Sequence, residues 1–395
     1  MADQKTKILI LGGGFAGIKT ALELSDQPDF SVTLVSDQTA FRYYPALYRD
    51  ASGGNPTAST IPLAEIFKDK KVNIVQDSVK SLDRSAKTVA AKNGLYKYDV
   101  LVVALGVVTN FFGIKGLEKY SFGIKSPTEA KRLRDHIHKQ LVDDGKPDLD
   151  YIVIGGGPTG VELAGALPAY IKHVMKMHGL SERRPHIDLV EAAPRLTPRM
   201  PRGYSKALAS RLRRLGVSLH LNEAVEAATA DGLTIKDHPI ASHTLVWTAG
   251  VTNHPFFSAN SFDLSQHGKV NVDQHLMAEP GIYVIGDNAD TPYSGMAQTA
   301  LYDAKYLARN LVRQQAGQRL RTYIPKKPVY VTPVGEGWAA VLWNNIHLYG
   351  WLGWVMREAA DFIGYHDYEP WWTASKHWLA ELEDSQDCPV CAGLS

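Results

Sequence analysis

The feature that most constrains this chain is a pattern that occurs twice. Ile8 to Leu11 is an apolar run that meets Gly12-Gly13-Gly14-Phe15-Ala16-Gly17, and a helical stretch from Ile18 to Leu24 follows. Tyr151 to Ile154 meets Gly155-Gly156-Gly157-Pro158-Thr159-Gly160, again followed by a helical stretch, Val161 to Leu167. Val32 to Val35 and Ile187 to Val190 read as the next strand of each unit. The two glycine clusters are 143 residues apart. So are Val108-Thr109-Asn110 and Val251-Thr252-Asn253, each of which follows an apolar strand (Val100 to Ala104; Thr244 to Trp247). One matching offset is a coincidence; two imply a pair of α/β halves of similar layout.

A strand, a G-x-G-x-x-G loop and a helix together suit a pyrophosphate, which needs backbone N–H donors at close range and the positive end of a helix dipole. Gly12 permits the tight turn out of the strand, Gly14 lets the backbone approach the phosphates, and Gly17 lets the helix pack on the sheet. Gly155, Gly157 and Gly160 take the same three roles. Phe15, Ala16, Pro158 and Thr159 complete the loops. One such cluster alone is weak; two, each between strand and helix, predict two dinucleotide sites. The end of the following strand discriminates the ligand. In the second unit it is Glu191, which can accept from a ribose diol and would repel a 2′-phosphate, so NADH is expected rather than NADPH. Arg195 and Arg183 are nearby cations that oppose this preference. In the first unit the position is Ser36, with Asp37 one residue later as the alternative carboxylate.

A third landmark is Gly281-Ile282-Tyr283-Val284-Ile285-Gly286-Asp287, a strand ending in Gly-Asp, with a helix expected from Ala297 to Gln314. Asp287 either serves a ligand or caps that helix. The formal net charge of +2 gives no reason to expect a nucleic-acid partner. The chain starts without an apolar signal region and holds no run of 18 apolar residues, so a cytoplasmic protein is expected. Its two cysteines, Cys388 and Cys391, exclude a disulfide-stapled fold.

Taken together, the segments ILILGGGFAGIKTALEL, YDVLVVALGVVTN, YIVIGGGPTGVELAGAL, IDLVEAAPRLTPRMP, TLVWTAGV, GIYVIGDNAD and AQTAL resemble the flavoproteins with two dinucleotide-binding domains, and most closely the type II NADH dehydrogenases (NADH:quinone oxidoreductases). The resemblance implies two Rossmann-like domains: an FAD domain (1–113 and 253–325) split around an NADH domain (114–252), with a C-terminal α+β region (326–395). It implies non-covalent FAD, NADH as substrate, quinone as acceptor and a reaction that pumps no protons. A homodimer and a peripheral position on the cytoplasmic face of a membrane come with it. Asp287 is then expected at the ribityl chain. Tyr44, Pro45, Ala104, Gly106 and Gly250 are expected at the cofactors, and Glu162 near nicotinamide and flavin, where it orients the nicotinamide or relays a proton. A carboxylate in a helix's first turn is also favourable in its own right. The family's Ala-Gln-x-Ala-x-Gln motif at the acceptor pocket reads here Ala297-Gln298-Thr299-Ala300-Leu301-Tyr302, so Gln298 and Tyr302 are expected to face the acceptor. The loop Tyr43 to Tyr48 matches a family segment near the flavin, and its aromatic content suits plain packing equally well. No side-chain nucleophile or metal is required.

Relatives that reduce disulfides or sulfide use cysteines near the flavin, and none precedes Cys388. The tail pair Cys388-Pro389-Val390-Cys391 reads as an unused end, as a dithiol that carries electrons to a disulfide or protein acceptor, or as half of a metal site across a dimer. A non-enzymatic reading, an NADH-sensing flavoprotein like the apoptosis-inducing factors, also fits. Seven of the eight tryptophans fall between Trp338 and Trp378. Val341 to Ile363 is expected as an amphipathic helix on a membrane surface, although Arg357 and Lys376 are the only Lys or Arg between Trp338 and Trp378. A dimer interface or the floor of the acceptor pocket are the competing readings.

Overall fold

A computed structural model describes residues 5–145, 148–236 and 238–382. The chain begins with β1 (Thr6–Leu11), α1 (Phe15–Leu24), β2 (Phe30–Ser36), β3 (Val72–Gln76) and β4 (Val100–Val103), then leaves the first domain on β5 (Val107–Thr109). The second domain contains β6 (Asp150–Ile154), α2 (Pro158–Met177), β7 (His186–Glu191), β8 (Val217–Leu221) and β9 (Thr244–Trp247). The return strand β10 (Val251–Asn253) leads to β11 (Ile282–Val284) and α3 (Ala297–Gln315), which finish the first domain. A hairpin sheet of β12 (Tyr330–Pro333), β13 (Ala339–Trp343) and β14 (Ile346–Gly350), then α4 (Trp351–His366) and α5 (Trp371–Leu382), close the described chain.

The first sheet runs β11-β4-β1-β2-β3 in parallel, with antiparallel Met277–Glu279 on the β11 edge. The second runs β9-β6-β7-β8, all parallel, with Ser121–Phe122 on the β9 edge. In both, chain direction across the sheet reverses beside the first strand, between β1 and β4 and between β6 and β9. That is where a doubly wound sheet opens a crevice at its strand ends, and each glycine loop lies there. Side-chain alternation on β1 explains the layering. Ile8 and Ile10 pack with residues of α1 and α3 on one face. Leu9 and Leu11 pack with Phe256, Phe257 and Val284 on the other.

The second repeated tripeptide acquires a structural meaning. β5 and β10, the two crossings between domains, pair antiparallel with Val108 opposite Thr252. Asn288 locks this joint. Its buried amide donates to the Gly106 carbonyl and to Asn253 Oδ1, both at 2.6 Å, and its Oδ1 accepts from the Gly106 N–H at 2.8 Å.

The expected helix over Val341 to Ile363 is not what forms. Trp343 and Ile346 are the last and first residues of paired strands, joined by Asn344 and Asn345, with Asn344 at φ +54. An Asn-Asn pair of this kind is a hairpin turn, and the helix starts only after Gly350. Replacing Asn288 by alanine leaves the Gly106 amide without its acceptor, so stability is expected to fall by about 1–3 kcal/mol. Urea denaturation of the two proteins measures this, and coincident curves would show the joint does not depend on that side chain.

Candidate functional site

Each loop assigns its glycines two different tasks. Gly12 turns at φ +112, and a Cβ there would lie 2.2 Å from the Ala104 carbonyl oxygen. Gly155 does the same at φ +117, with the Ala249 backbone 2.8 Å away. A Cβ on Gly17 or Gly160 would come within 1.9 Å of the carbonyl oxygen of Gly12 or Gly155. These four positions are glycine because protein fills the space. Gly14 and Gly157, the N-cap residues of α1 and α2, are different: a Cβ on either would stand in open space. Neither helix takes a side-chain cap among the described residues. Their first-turn N–H groups therefore face the same opening, which is a cradle for an anion. Both loops fit a pyrophosphate.

The residues beyond the strands are also placed. Glu191 Oε2 accepts from the Gly156 N–H at 2.6 Å and Oε1 from the Ala193 N–H at 2.7 Å, which holds the carboxylate beside the second loop. The opposing cations are committed elsewhere. Arg195 donates to the Met200 carbonyl at 2.5 Å and Ser205 Oγ at 3.0 Å, and Arg183 to the Leu141 carbonyl and to Asp144 at 3.2 Å. Ser36 is buried, with Oγ accepting from the Gln38 N–H, while Asp37 is exposed and accepts from Gln38 Nε2 at 3.0 Å.

A cavity of about 2330 Å³ joins the first loop to the start of α2 and to the C-terminal region. Gly12, Gly14, Phe15, Ala16, Ser36, Asp37, Tyr44, Pro45, Ala104, Gly106, Pro158, Thr159, Glu162, Gly250, Asp287 and Gln298 of the expected residues line it. Gly17, Gly155, Gly157, Gly160, Glu191 and Tyr302 do not. The first five of these build or flank the two loops just described, whereas Tyr302 belongs to neither loop nor cavity.

Glu162 is the fifth residue of α2, beyond the first turn, so helix-dipole stabilisation does not account for it. It lines the cavity, and burial lifts its pKa from 4.5 to about 7 against the opposing pull of the Arg357 and Arg49 guanidinium groups. Burial also raises the carboxyl of Asp287, opposed by the Lys269 and Lys125 ammonium groups and by the Gly295 N–H. The capping alternative for Asp287 does not hold, since the N-cap of α3 is Met296.

Gln298 and Tyr302 lie one helical turn apart on α3, and the irregular segment 323–329 packs against both. Gln298 Nε2 donates to the Val329 carbonyl and its Oε1 accepts from the Val329 N–H, each at 3.0 Å. Tyr302 packs on Tyr323 with ring centroids 5.8 Å apart, and the Lys326 ammonium sits 4.6 Å above its ring. Tyr302 therefore packs against that segment and does not line the cavity. The loop Tyr43 to Tyr48 is more than packing. Tyr44 and Pro45 line the cavity, and the Pro45 carbonyl accepts from Arg357 at 3.2 Å.

Sequence reasoning missed Lys125, Lys269, Asn288 and Arg357, all on the cavity wall. Arg357 carried no readable signal, since arginine is mostly exposed and is buried only where it finds a partner. It lies 2.6 Å from Asp361, and Tyr43 donates to Asp361 at 3.2 Å. Cys388 and Cys391 lie outside the described residues.

Residues 6–304 match the pyridine nucleotide-disulphide oxidoreductase family. A type II NADH:quinone oxidoreductase of Staphylococcus saprophyticus is 30% identical over 343 residues, 80% of this chain and 85% of that protein. The Staphylococcus aureus protein of the same name is 30% identical over 344 residues, with the same coverage of both chains. The chain belongs to the type II NADH:quinone oxidoreductases. Among solved structures, NDH2 from Plasmodium falciparum in complex with NADH superposes with a TM-score of 0.87 at 18% identity, covering 95% of this chain and 97% of that one. The sulfide:quinone oxidoreductase of Aquifex aeolicus follows the same fold with a TM-score of 0.79, at 18% identity over 97% and 98% of the two chains. The likeness of fold thus extends through β12 to α5, beyond the stretch matched to the broader family.

The position of Glu162 has a consequence for stability. The folded chain keeps this proton up to about pH 7, while the unfolded chain releases it near 4.5. Between those values the folded state binds more protons, so this group's contribution is full below 4.5 and is lost as pH rises through 7. Glu162→Gln should accordingly melt higher than the parent at pH 8 and close to it at pH 4.5. Equal melting differences at both pH values would contradict the burial of the charge.

Proposed function

We propose that this chain is an FAD-dependent NADH:quinone oxidoreductase that pumps no protons, with FAD on the Gly12–Gly17 loop and NADH on the Gly155–Gly160 loop. The observation that carries the reading is the pair of open cradles, at Gly14 and Gly157, set at the two crevices of one molecule. FAD, when bound, takes up a hydride from NADH and passes two electrons to the quinone. The protein supplies position, exclusion of water and a proton. Ser36 or Asp37 receives the adenosine ribose of FAD, and Asp287 accepts from the ribityl hydroxyls while Lys125 and Lys269 offset its charge. Tyr44, Pro45, Ala104, Gly106 and Gly250 shape the walls around the cofactors. Glu191 accepts from the adenosine ribose of NADH, and Arg195 and Arg183 are engaged by other partners rather than held out to a 2′-phosphate.

Quinone reduction by NADH needs one proton beyond the hydride. Glu162, with a pKa of about 7, is half protonated at neutral pH and gives that proton to the quinone oxygen. Gln298 spends one amide hydrogen on Val329 and offers the other to a quinone carbonyl.

The C-terminal helix supports a peripheral membrane position. The buried stripe of α4 is Gly353, Arg357, Asp361 and Tyr365, at steps of four, so two of its charged residues face inward. Its outer face carries Trp351, Leu352 and Val355, with Trp351 68% exposed, and the exposed Ile363 stands at the cavity's edge. Trp343 and Ile346 at the hairpin tip and Trp371 and Trp372 on α5 are exposed as well. A helix polar inside and apolar outside is the reverse of a water-facing helix, and interfacial tryptophan suits the headgroup boundary. No helix among the described residues is long and apolar enough to cross a membrane. Changing Trp351, Trp371 and Trp372 together to serine should abolish flotation with phospholipid vesicles. A triple variant that floats like the parent, or a loss of dimer without loss of flotation, would assign this face to a second copy of the chain instead.

Because a Cβ at Gly14 or Gly157 meets no protein, Gly14→Ala and Gly157→Ala should keep the melting temperature of the ligand-free chain. Gly14→Ala should lower flavin retention at least tenfold, and Gly157→Ala should raise the KM for NADH with little loss of flavin. Loss of fold in either would mean that the opening serves packing. Stopped-flow reoxidation of the NADH-reduced protein by a quinone, a disulfide and oxygen in turn tests the acceptor. Fast reoxidation by quinone is expected. Reoxidation by a disulfide alone would favour a route through Cys388 and Cys391, and slow reoxidation by all three would favour an NADH-sensing flavoprotein.

A further inference from the structure

Away from the cavity, where α5 meets the first domain, three side chains converge that the proposed reaction does not use. Glu369 precedes α5 and is 4% exposed, and both of its carboxylate oxygens are buried without a hydrogen-bond partner. His377, on α5, has Nδ1 3.1 Å from the Thr57 carbonyl oxygen. A carbonyl can only accept, so Nδ1 carries the hydrogen and Nε2 presents its lone pair or a second proton to what lies opposite. What lies opposite is Glu369 Oε2, at 3.5 Å, which is long for a hydrogen bond. Glu65, on the one-turn helix Leu63–Ile66, approaches from the surface. One ligand atom from each of the three lies within 4.8 Å of the others.

We propose that Glu65, Glu369 and His377 form a binding site for a divalent cation of the zinc type, which fastens α5 to the first domain. Several observations bear on it together. An ionised carboxylate in the interior needs a counter-charge, and Glu369 has no neutral donor among the described residues. Two carboxylates and a neutral imidazole balance a divalent ion in full, whereas an imidazolium balances the buried Glu369 and leaves the exposed Glu65 to solvent. With zinc–ligand bonds of roughly 2.0–2.1 Å, neighbouring ligands of a tetrahedral ion stand about 3.4 Å apart, close to the 3.5 Å between Nε2 and Oε2 here. The Nδ1–H···O=C bond to Thr57 is the support that a metal-bound histidine ordinarily takes from its surroundings, since it fixes the ring and the tautomer. Glu65, exposed and flexible, closes the remaining distance, and water completes the shell. The site ties α5, with its exposed Trp371 and Trp372, to the turn at Pro56–Ala58 and the helix Leu63–Ile66.

The test uses the full chain with Cys388→Ser and Cys391→Ser, so that tail thiolates take no metal, with any affinity tag removed and the protein dialysed against chelator. Titration with zinc chloride is followed by calorimetry, and amide hydrogen exchange is followed over residues 371–380. One site per chain is expected, with zinc slowing exchange over 371–380. His377→Asn and Glu369→Gln should each weaken that site at least tenfold. Glu65→Ala, a surface change that leaves packing intact, should weaken it as well. Absence of zinc binding by the parent would overturn the site and leave Glu369 held by an imidazolium alone. Zinc binding that none of the three substitutions alters would overturn it equally, by placing the metal elsewhere. If either buried variant fails to fold, Glu65→Ala decides the matter: unchanged affinity and unchanged exchange contradict the proposal.

Discussion

The rest of the structure depends on one steric constraint, the passage from strand to helix at the two glycine loops. A backbone that turns within van der Waals contact of the neighbouring strand leaves no room for a Cβ at Gly12 or Gly155, nor at Gly17 or Gly160 beneath the turn. That close passage brings each helix N-terminus up to the strand ends, at the point where the sheet splits. The openings at Gly14 and Gly157 follow from it. At both positions a Cβ would meet no protein atom within 4 Å. The same constraint, met twice, makes the two domains alike. The antiparallel crossing of β5 and β10 then fixes how they face each other.

The C-terminal region answers a different need. The first domain and the start of α2 leave one side of the cavity open, and α4 lines it with Arg357 and Asp361 among Met356, Ala359, Ala360, Ile363 and Gly364. Arg357 and Asp361 form a buried pair whose disruption from either side would be expected to cost about 3–5 kcal/mol. Arg49 joins the same wall to α4 through Glu358 at 3.3 Å. With Arg357 and Asp361 turned inward, Trp351, Leu352 and Val355 are left exposed on the same helix.

How much of this was legible in the sequence depends on how local the cause is. Glycine loops, strand ends and the Gly-Asp turn are backbone constraints, and a linear pattern reveals them. The repeated Val-Thr-Asn was visible as an offset, but its role as two paired crossings required a partner strand 143 residues away. The segment from Val341 was misread because a hairpin of apolar strands and an amphipathic helix both present frequent apolar residues. The Asn344-Asn345 pair was the signal that separates them. Tyr302 was misplaced for a tertiary reason: its helix phase matches Gln298, but a later segment covers it. The burial of Arg357 is not legible in sequence, because arginine is ordinarily exposed and one of the partners that hold it, the Pro45 carbonyl, lies far away in the chain.

The central claim is that both cradles are used, the first by a flavin and the second by NADH. The most direct measurement is the absorption spectrum of the freshly purified chain, before and after anaerobic addition of NADH, with the released cofactor identified by mass. A yellow protein holding one FAD per chain that bleaches with a single equivalent of NADH is predicted. A colourless protein that takes up no flavin on reconstitution, or a flavin that NADH leaves oxidised, would contradict the account.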